Sequence, residues 1–504
     1  MTAFTGLIRP FSRSSAAIVC ALLIGMFYVA TIRQGHDWGD DFSMYIRHAQ
    51  NLARGQPYAE TGYIYNPQNP AVGPRVYPPG FPLLLAPVVK VFGLDLRPMK
   101  ILVTVFFAGS LLVMGSLFRN VLPTPSYVAA LVVIVGLNPF FWEFKDHVLS
   151  DLPFLFFVLL SLHLFTQADA PDASRRRQVT LAVMSGVAAY AAYATRSLAL
   201  TLIPCFIAHD LSRYRRVTAN AAVASAVAVA LAGVQHVIWF HDSSYFDQLS
   251  NPVSAAQRNV PAYLQSLSDL WENGYSGSLR KIAFLAGSAL AAFGYMRSLR
   301  ARVSVFHLFP VLYLAPVILW PSFQGTRFLI PIVPFYFHYC LLGVGRMDAA
   351  AQRRWGTRHA VLVVFLAAVL VSYAGRYSTL QFGPLPEGIA KRESRELFEF
   401  VNTSTDPTDI FVFSRPRALA LLTGRRVSGG YSPADPCRLW QYMREIKASY
   451  VITGPEPDPF NDDAVYLRRF VSRFGNEFRR VMANGDLAVY RIEGNPCTSG
   501  SPPR

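Results

Sequence analysis

Residues 15–32, SAAIVCALLIGMFYVATI, form an unbroken apolar run, and shortly after it residues 39–45 read GDDFSMY. A run of ~18 apolar residues is long enough to cross a bilayer as a helix. Two adjacent carboxylates, Asp40 and Asp41, just past such a span are costly to desolvate unless water, a cation or a substrate meets them. The pair therefore reads in two ways. Either acid can take a proton from a hydroxyl nucleophile at the membrane surface, or the acids cap a helix starting near Phe42, because Asp is a favoured N-cap. Arg9 and Arg13 precede the run and no small-residue cleavage site follows it, so the expectation is an uncleaved first helix.

Composition supports a membrane protein. The chain is 52% hydrophobic and 15% charged, against about 25% charged for a soluble domain. Further apolar blocks follow at approximately 98–118, 126–141, 151–167, 179–194, 197–210, 217–239, 281–297, 303–320, 328–345 and 360–375, each near span length. The net charge of +16 comes largely from arginines in the short loops between blocks, where they act as topology signals. Nucleic acid is not an expected partner. Arg119, Arg175–Arg177, Arg213/Arg215/Arg216, Arg297/Arg300/Arg302 and Arg346/Arg353/Arg354/Arg358 fall on one side if the blocks alternate, and the positive-inside rule makes that side cytoplasmic. The expected fold is an α-helical polytopic membrane protein of about eleven spans. Its N-terminus lies inside and a small C-terminal α/β domain outside.

Three segments fall on the outer face. The first, 33–97, carries the Asp pair, a short amphipathic helix around Ile46–Ala53 ended by Arg54-Gly55-Gln56-Pro57, and an interfacial apolar piece, Phe81–Phe92. The second, 240–280, holds Trp239, Tyr245, Phe246, Tyr263, Trp271 and Tyr275, either an interfacial aromatic belt or a platform for sugar or lipid. The third follows Arg376. Lys391–Asn402 reads as a helix with Leu397, Phe398 and Val401 on one stripe, and 410–413, 450–453 and 487–492 read as strands. The expected division is 1–375 as the membrane domain, 376–493 as the outer domain and 494–504 as a disordered tail. Cys437 and Cys497 share the outer domain and can pair in an oxidising compartment.

No phosphate-binding Gly-Lys-Ser/Thr loop, dinucleotide glycine pattern or zinc-type cysteine spacing is present. The candidate chemistry is a set of polar residues at span ends. In Pro74-Arg75-Val76-Tyr77-Pro78-Pro79, the prolines deny backbone donors and hold an extended turn that fixes Arg75 and Tyr77. In Glu143–Pro153, Asp151 carries an N-cap signature before a long apolar helix, while Asp146 and His147 offer a metal or proton site or form a solvated turn. Arg196 and Arg327 sit at the mouths of spans, where a guanidinium either grips a phosphate or snorkels to headgroups.

Gly39-Asp40-Asp41 with Tyr45, then Tyr77-Pro78-Pro79, Leu149–Pro153 and Thr326-Arg327-Phe328-Leu329-Ile330-Pro331, occur in that order over residues 15–375. Together they resemble the GT-C-type glycosyltransferases that use polyprenyl-phosphate sugars, in particular the protein O-mannosyltransferases and the lipid A aminoarabinose transferases. The resemblance implies a GT-C-like catalytic domain in a bacterial inner membrane. It implies inverting transfer of a sugar from a polyprenyl-phosphate donor to an acceptor hydroxyl of a glycolipid, glycan or protein on the outer face. The family's first acid falls on Asp40, its second on Asp41 and its second-motif acid on Asp151. The aminoarabinose type carries a Glu-Lys pair where this chain has Val76 and Tyr77. Arg75, Arg327 and Arg196 are then the candidates for the donor phosphate, and Tyr45, Tyr77, Asp146 and His147 for the substrate pocket. No cofactor is assigned with certainty, and the acids leave room for a divalent metal. A lipid-linked saccharide transporter or flippase and a polysaccharide ligase are the alternatives. A transporter would place charge at the bilayer midplane and show repeated halves.

The arginine asymmetry predicts that a topology reporter fused after Gly383 is active on the outer side of the membrane. Activity confined to the cytoplasm would reject that orientation.

Overall fold

The computed structural model describes residues 15–69, 73–170, 174–239, 252–454, 463–485, 487–494 and 496–497. In the first half of the chain the elements are α1 (Ser15–Ala30), α2 (Asp40–Arg54), β1 (Tyr63–Ile64), α3 (Gly80–Phe92), α4 (Leu96–Leu117), α5 (Pro125–Gly136), α6 (Pro139–Phe144), α7 (Asp151–Ala168), α8 (Arg175–Thr195), α9 (Leu202–Tyr214) and α10 (Ala219–Ile238). Next come α11 (Pro252–Asp269), α12 (Gly277–Ala301), α13 (Val305–Leu319), α14 (Val333–Trp355) and α15 (Ala360–Tyr377). The C-terminal part comprises α16 (Arg392–Thr403), β2 (Ile410–Val412), α17 (Pro416–Thr423), β3 (Arg426–Ser428), α18 (Pro436–Glu445), β4 (Tyr450–Thr453), α19 (Asp463–Arg473), β5 (Phe478–Ala483) and β6 (Ala488–Ile492). The chain divides into a helical unit of 1–32, 100–240 and 245–382, and a second unit of 33–99, 241–244 and 383–504.

Every apolar block read from the sequence is helical. Among the described residues α4, α7, α10, α12 and α15 are long and apolar enough to cross a membrane, while α1, α3, α5 and α13 are shorter apolar helices. Only 17% of the apolar window of α12 and 22% of that of α15 is buried within the protein. Faces this apolar and this uncovered belong against lipid, and the chain is a multi-pass membrane protein. The block at 126–141 is broken at Asn138-Pro139. Asn138 caps α6 by accepting from the Phe140 amide at 3.0 Å, and its amide donates to the Leu270 carbonyl at 2.9 Å and to Tyr373 Oη at 2.7 Å. A side chain that satisfies three groups across a helix break replaces the backbone bonds the break removes. Helices α12 and α14 touch through glycines. A Cβ on Gly294 would stand 2.2 Å from the Tyr339 carbonyl oxygen, and one on Gly343 2.5 Å from that of Leu290. Small residues at such crossings let backbones approach and gain dispersion where lipid supplies no hydrophobic drive.

The second unit is built on a six-stranded sheet in the order β1-β3-β2-β4-β6-β5, in which β1, β3, β2 and β4 run parallel and β6 and β5 are antiparallel additions. The strands expected at 410–413, 450–453 and 487–492 are present as β2, β4 and β6. Strand β1 comes from the first outer segment and pairs Tyr63 with Val427. Asn66 reinforces that pairing by donating to the Gly429 carbonyl at 3.2 Å, and the Leu385 and Ile389 amides donate to the Gln34 and His36 carbonyls, both at 2.9 Å. Gly388, at φ +115°, lies so close to the His36 carbonyl that a Cβ would sit 2.0 Å from its oxygen, a position only glycine fills. The core packs Trp440 of α18 on Phe478 and Phe470 at ring distances of 5.1 and 5.2 Å, over Val412, Val451 and Leu467.

Helix α2 ends where Gly55 adopts a left-handed conformation, as the Arg54-Gly55 signal foretold. Of the outer aromatics, Tyr245 and Phe246 lie outside the described residues, as does most of the expected disordered tail. Cys497 of that tail is described and forms a disulfide with Cys437, Cα–Cα 5.6 Å. Alkylation of the folded, unreduced protein should therefore leave both thiols unlabelled. Cys437→Ser should lower the stability of this unit by about 2–4 kcal/mol, read as a fall in melting temperature.

Candidate functional site

Helix α2 begins at Asp40 itself. The N-cap position is Gly39, with no side-chain cap, and its amide donates to Asp37 Oδ1 at 3.2 Å. The expectation that the acids cap a helix starting near Phe42 is thus corrected: both lie inside the first turn, at the positive end of the helix dipole, where carboxylates are favoured. Asp41 Oδ1 accepts from Tyr77 Oη at 2.7 Å, and Tyr77 Oη in turn accepts from Arg417 Nη1 at 2.5 Å. Arg417 Nη1 stands 3.7 Å from Asp41 Oδ1. The guanidinium is only 5% exposed and lies over the rings of Tyr63 and Tyr77 at 5.1 and 5.5 Å.

Tyr77 is held from several sides. It follows a short 3-10 turn, Pro74–Val76, and precedes Pro78-Pro79, where α3 starts. Its carbonyl accepts from Tyr58 Oη at 2.9 Å. Tyr45 stacks edge-on against it at 5.4 Å and against Phe81 at 5.1 Å. His48 stacks on Tyr58 at 3.9 Å, with Nδ1 2.7 Å from the Tyr58 carbonyl, and burial pushes its pKa down to about 4, so it is neutral there. Arg75 is exposed.

Asp40 is half-buried as a residue, but its Oδ1 is closed off from solvent and has no hydrogen-bond partner among the described residues. Burial raises its pKa to about 6. Arg417, Arg415 and the Ala418 amide oppose the rise, and Asp41 adds to it. A carboxylate with that pKa is a base at neutral pH and a competent proton acceptor. A divalent cation does not fit the pair: Asp41 Oδ1 is taken by Tyr77, and an ion there would press against the Arg417 guanidinium.

A second cluster lies in the helical unit. Ser150, not Asp151, is the N-cap of α7, so the capping reading of Asp151 is corrected as well. Asp151 forms an ion pair with Arg196, the extended residue that ends α8, and its Oδ2 is buried with no hydrogen-bond partner among the described residues. The Arg196 guanidinium lies 4.4 Å from the Phe328 ring centre, and that of Arg327 lies 5.7 Å from the same ring. Asp146 is spent on Lys145, at 2.8 Å with both side chains fully buried, and Lys145 Nζ sits 4.1 Å over Trp142. His147 is half-buried beside Phe144.

Of the residues singled out in the sequence, the structure brings Asp40, Asp41, Tyr45 and Tyr77 together in the second unit, and Asp151, Arg196 and Arg327 together in the helical unit. Sequence reasoning missed Arg417. The signal was present in Pro416–Thr423, PRALALLT, where a lone arginine in an apolar helix behind a buried strand demands a partner.

No protein-family model matches the chain, and no curated protein matches it. Solved structures do. ArnT from Cupriavidus metallidurans, bound to undecaprenyl phosphate, matches with TM-score 0.59 and 13% identity over 97% of this chain and 98% of that one. The oligosaccharyltransferase of Archaeoglobus fulgidus, in complex with Zn and sulfate, matches with TM-score 0.61 and 12% identity over 86% of this chain and 67% of that one. AglB from the same archaeon, with an inhibitory peptide and a dolichol-phosphate, matches with TM-score 0.56 and 11% identity over 86% and 69%. At such identities the likeness is one of fold, which this chain shares with these membrane proteins.

Breaking a buried ion pair from one side leaves a stranded charge. Arg196→Met or Asp151→Asn alone should therefore lower stability by up to about 3–5 kcal/mol, while the double substitution should lower it by less than the sum. Additive melting shifts in a double-mutant cycle would show that the two side chains do not act as a pair.

Proposed function

We propose that this chain is an inverting glycosyltransferase of the membrane surface, moving a sugar from a polyprenyl-phosphate-linked donor to an acceptor hydroxyl, with Asp40 as general base. The observation that carries the reading is the Asp40 carboxylate, whose Oδ1 is buried and unpartnered and whose pKa is lifted to about 6 beside a second acid. The fold shared with proteins whose structures hold undecaprenyl phosphate and dolichol-phosphate supports a lipid-phosphate donor.

In this reaction the acceptor O–H gives its proton to Asp40 as the oxygen attacks the anomeric carbon. The bond from that carbon to the phosphate oxygen breaks, and the polyprenyl phosphate leaves with the electron pair. A phosphate is already a good leaving group, so the protein needs chiefly one base, positive charge for the phosphate, and alignment. Asp41, tied to Tyr77, orients the first turn of α2. Within the helical unit Arg327 is our assignment for the donor phosphate, with Arg196, half committed to Asp151, beside it across Phe328; exposed Arg75 is the candidate on the second unit. The outer face of an inner membrane, with the N-terminus inside, is the orientation we infer from the loop arginines. A transporter is less well supported. It calls for ionic groups at mid-span, whereas Asp151 opens α7, Arg196 closes α8 and Arg327 precedes α14.

The test is transfer by the purified protein in lipid nanodiscs supplied with polyprenyl-phosphate sugars. Mass spectrometry of envelope glycans and glycolipids with and without the protein would identify a donor and acceptor to use. Asp40→Asn keeps shape and charge-free packing but loses the proton acceptor, so the rate should fall by about 10²–10⁴ with the protein still inserted and stable. Arg327→Ala should raise the donor KM. The wild-type rate should drop as pH falls through about 6, where Asp40 takes up its proton. Near wild-type transfer by Asp40→Asn would return the pair to a structural role.

A further inference from the structure

We propose that Arg417, in the C-terminal part of the chain, is a positioning residue of the transfer reaction: through Tyr77 it holds Asp41 and supplies the fixed positive charge beside which Asp40 works. The proposal rests on the base role of Asp40 given above and extends the active site to α17.

The geometry argues against a purely structural arginine. Its Nη1 donates to Tyr77 Oη at 2.5 Å, while that hydroxyl spends its own proton on Asp41 Oδ1 at 2.7 Å. One hydroxyl thus relays a guanidinium to a carboxylate, and the direct approach to Asp41 is 3.7 Å. A surface ion pair of this length would be worth little, but here the guanidinium is buried and the carboxylate is half-buried, where attraction is screened less than in open water. The planar group lies over Tyr63 of β1 and Tyr77, so its orientation is set by two rings. Helix α17 starts at Pro416, directly after β2 and the Phe413–Arg415 turn, which anchors Arg417 to the sheet. Asp41 adds to the upward push on Asp40, as a like charge does, and Arg417 works against it.

The charged and titratable groups that act on Asp40 are Asp41 on α2, Arg415 and Arg417 at the start of α17, and Tyr63 on β1. Of these, Arg417 opposes the burial-driven rise of the Asp40 pKa most strongly. With that charge gone, Asp40 should hold its proton to higher pH and the acidic limb of the rate profile should move upward.

The experiment compares full pH–rate profiles of the whole protein in nanodiscs, using the donor and acceptor identified as above, for wild type, Arg417→Gln and Arg417→Lys. Arg417→Gln should move the acidic limb up by at least about one pH unit, as loss of a neighbouring opposite charge does. Arg417→Lys keeps the charge but not the fork, so its limb should stay within about half a unit while the plateau kcat falls about tenfold, the donor KM being unchanged. An unmoved limb in folded Arg417→Gln overturns the proposal. Should Arg417→Gln not accumulate, Arg417→Lys decides alone: a wild-type kcat, or a defect confined to KM, overturns it. The base assignment is separable, because it falls only if Asp40→Asn stays active. Inactive Asp40→Asn together with an unmoved limb in Arg417→Gln would reject Arg417 and leave Asp40 standing.

Discussion

Charge withdrawn from water must be answered by charge of the other sign, and the second unit is arranged around one such answer. Arg417 stands between two tyrosine rings with its guanidinium directed at the Tyr77 hydroxyl and the Asp41 carboxylate. Removing the carboxylate and hydroxyl partners would strand the buried guanidinium, at a cost of several kcal/mol, whereas the intact set is close to neutral. That balance makes the arrangement specific. It ties the Asp pair, whose helix comes from the first outer segment, to a helix that follows a strand more than three hundred residues later. The same set leaves one oxygen of Asp40 covered and unanswered, a high-energy position of the kind that persists where chemistry uses it.

The helical unit solves the same problem repeatedly with shorter connections. Lys145 and Asp146 are neighbours in sequence and pair with both side chains fully buried. Asp151 and Arg196 close the gap between the start of α7 and the end of α8. Asp169 collects Arg213 at 2.5 Å and Tyr214 at 2.7 Å at the far end of α7, and Asp348 accepts from the Val361 amide at 2.8 Å at the start of α15. These groups gather at helix ends, where the backbone already offers donors and acceptors without partners. The interiors of the spans are mostly apolar side chains and close glycine contacts, with a few buried polar groups such as Ser161 and Ser185, which bond each other's carbonyls between α7 and α8.

How much of this was legible follows from which forces act locally. The helices were readable because bilayer length and hydropathy are properties of contiguous residues, and the Gly55 end of α2 because a left-handed cap needs a particular residue at a particular place. The acid motifs were readable because Asp40, Asp41, Tyr45 and Tyr77 lie within forty residues of one another. The starts of α2 and α7 were misplaced by a residue or two, since Asp is equally at home as N-cap and in the first turn and only tertiary partners decide. Arg417 and β1 were missed for a different reason. A two-residue strand has no periodicity to detect, and the worth of a lone arginine depends on what the sheet places opposite it. Neither is a local property of the chain.

The pairing of Tyr63 with Val427 also bears on how the molecule is made. A strand near the start of the chain waits for its neighbour until some 360 further residues have left the ribosome, some tens of seconds at about 5–20 residues per second. During that interval the acids of α2 lack Arg417, and Tyr77 lacks its donor. The first turn of α2 is therefore completed late in biogenesis, once α17 and β3 have been made. Chains truncated before α17 would carry every apolar span and both acids and still lack the guanidinium that Tyr77 links to Asp41.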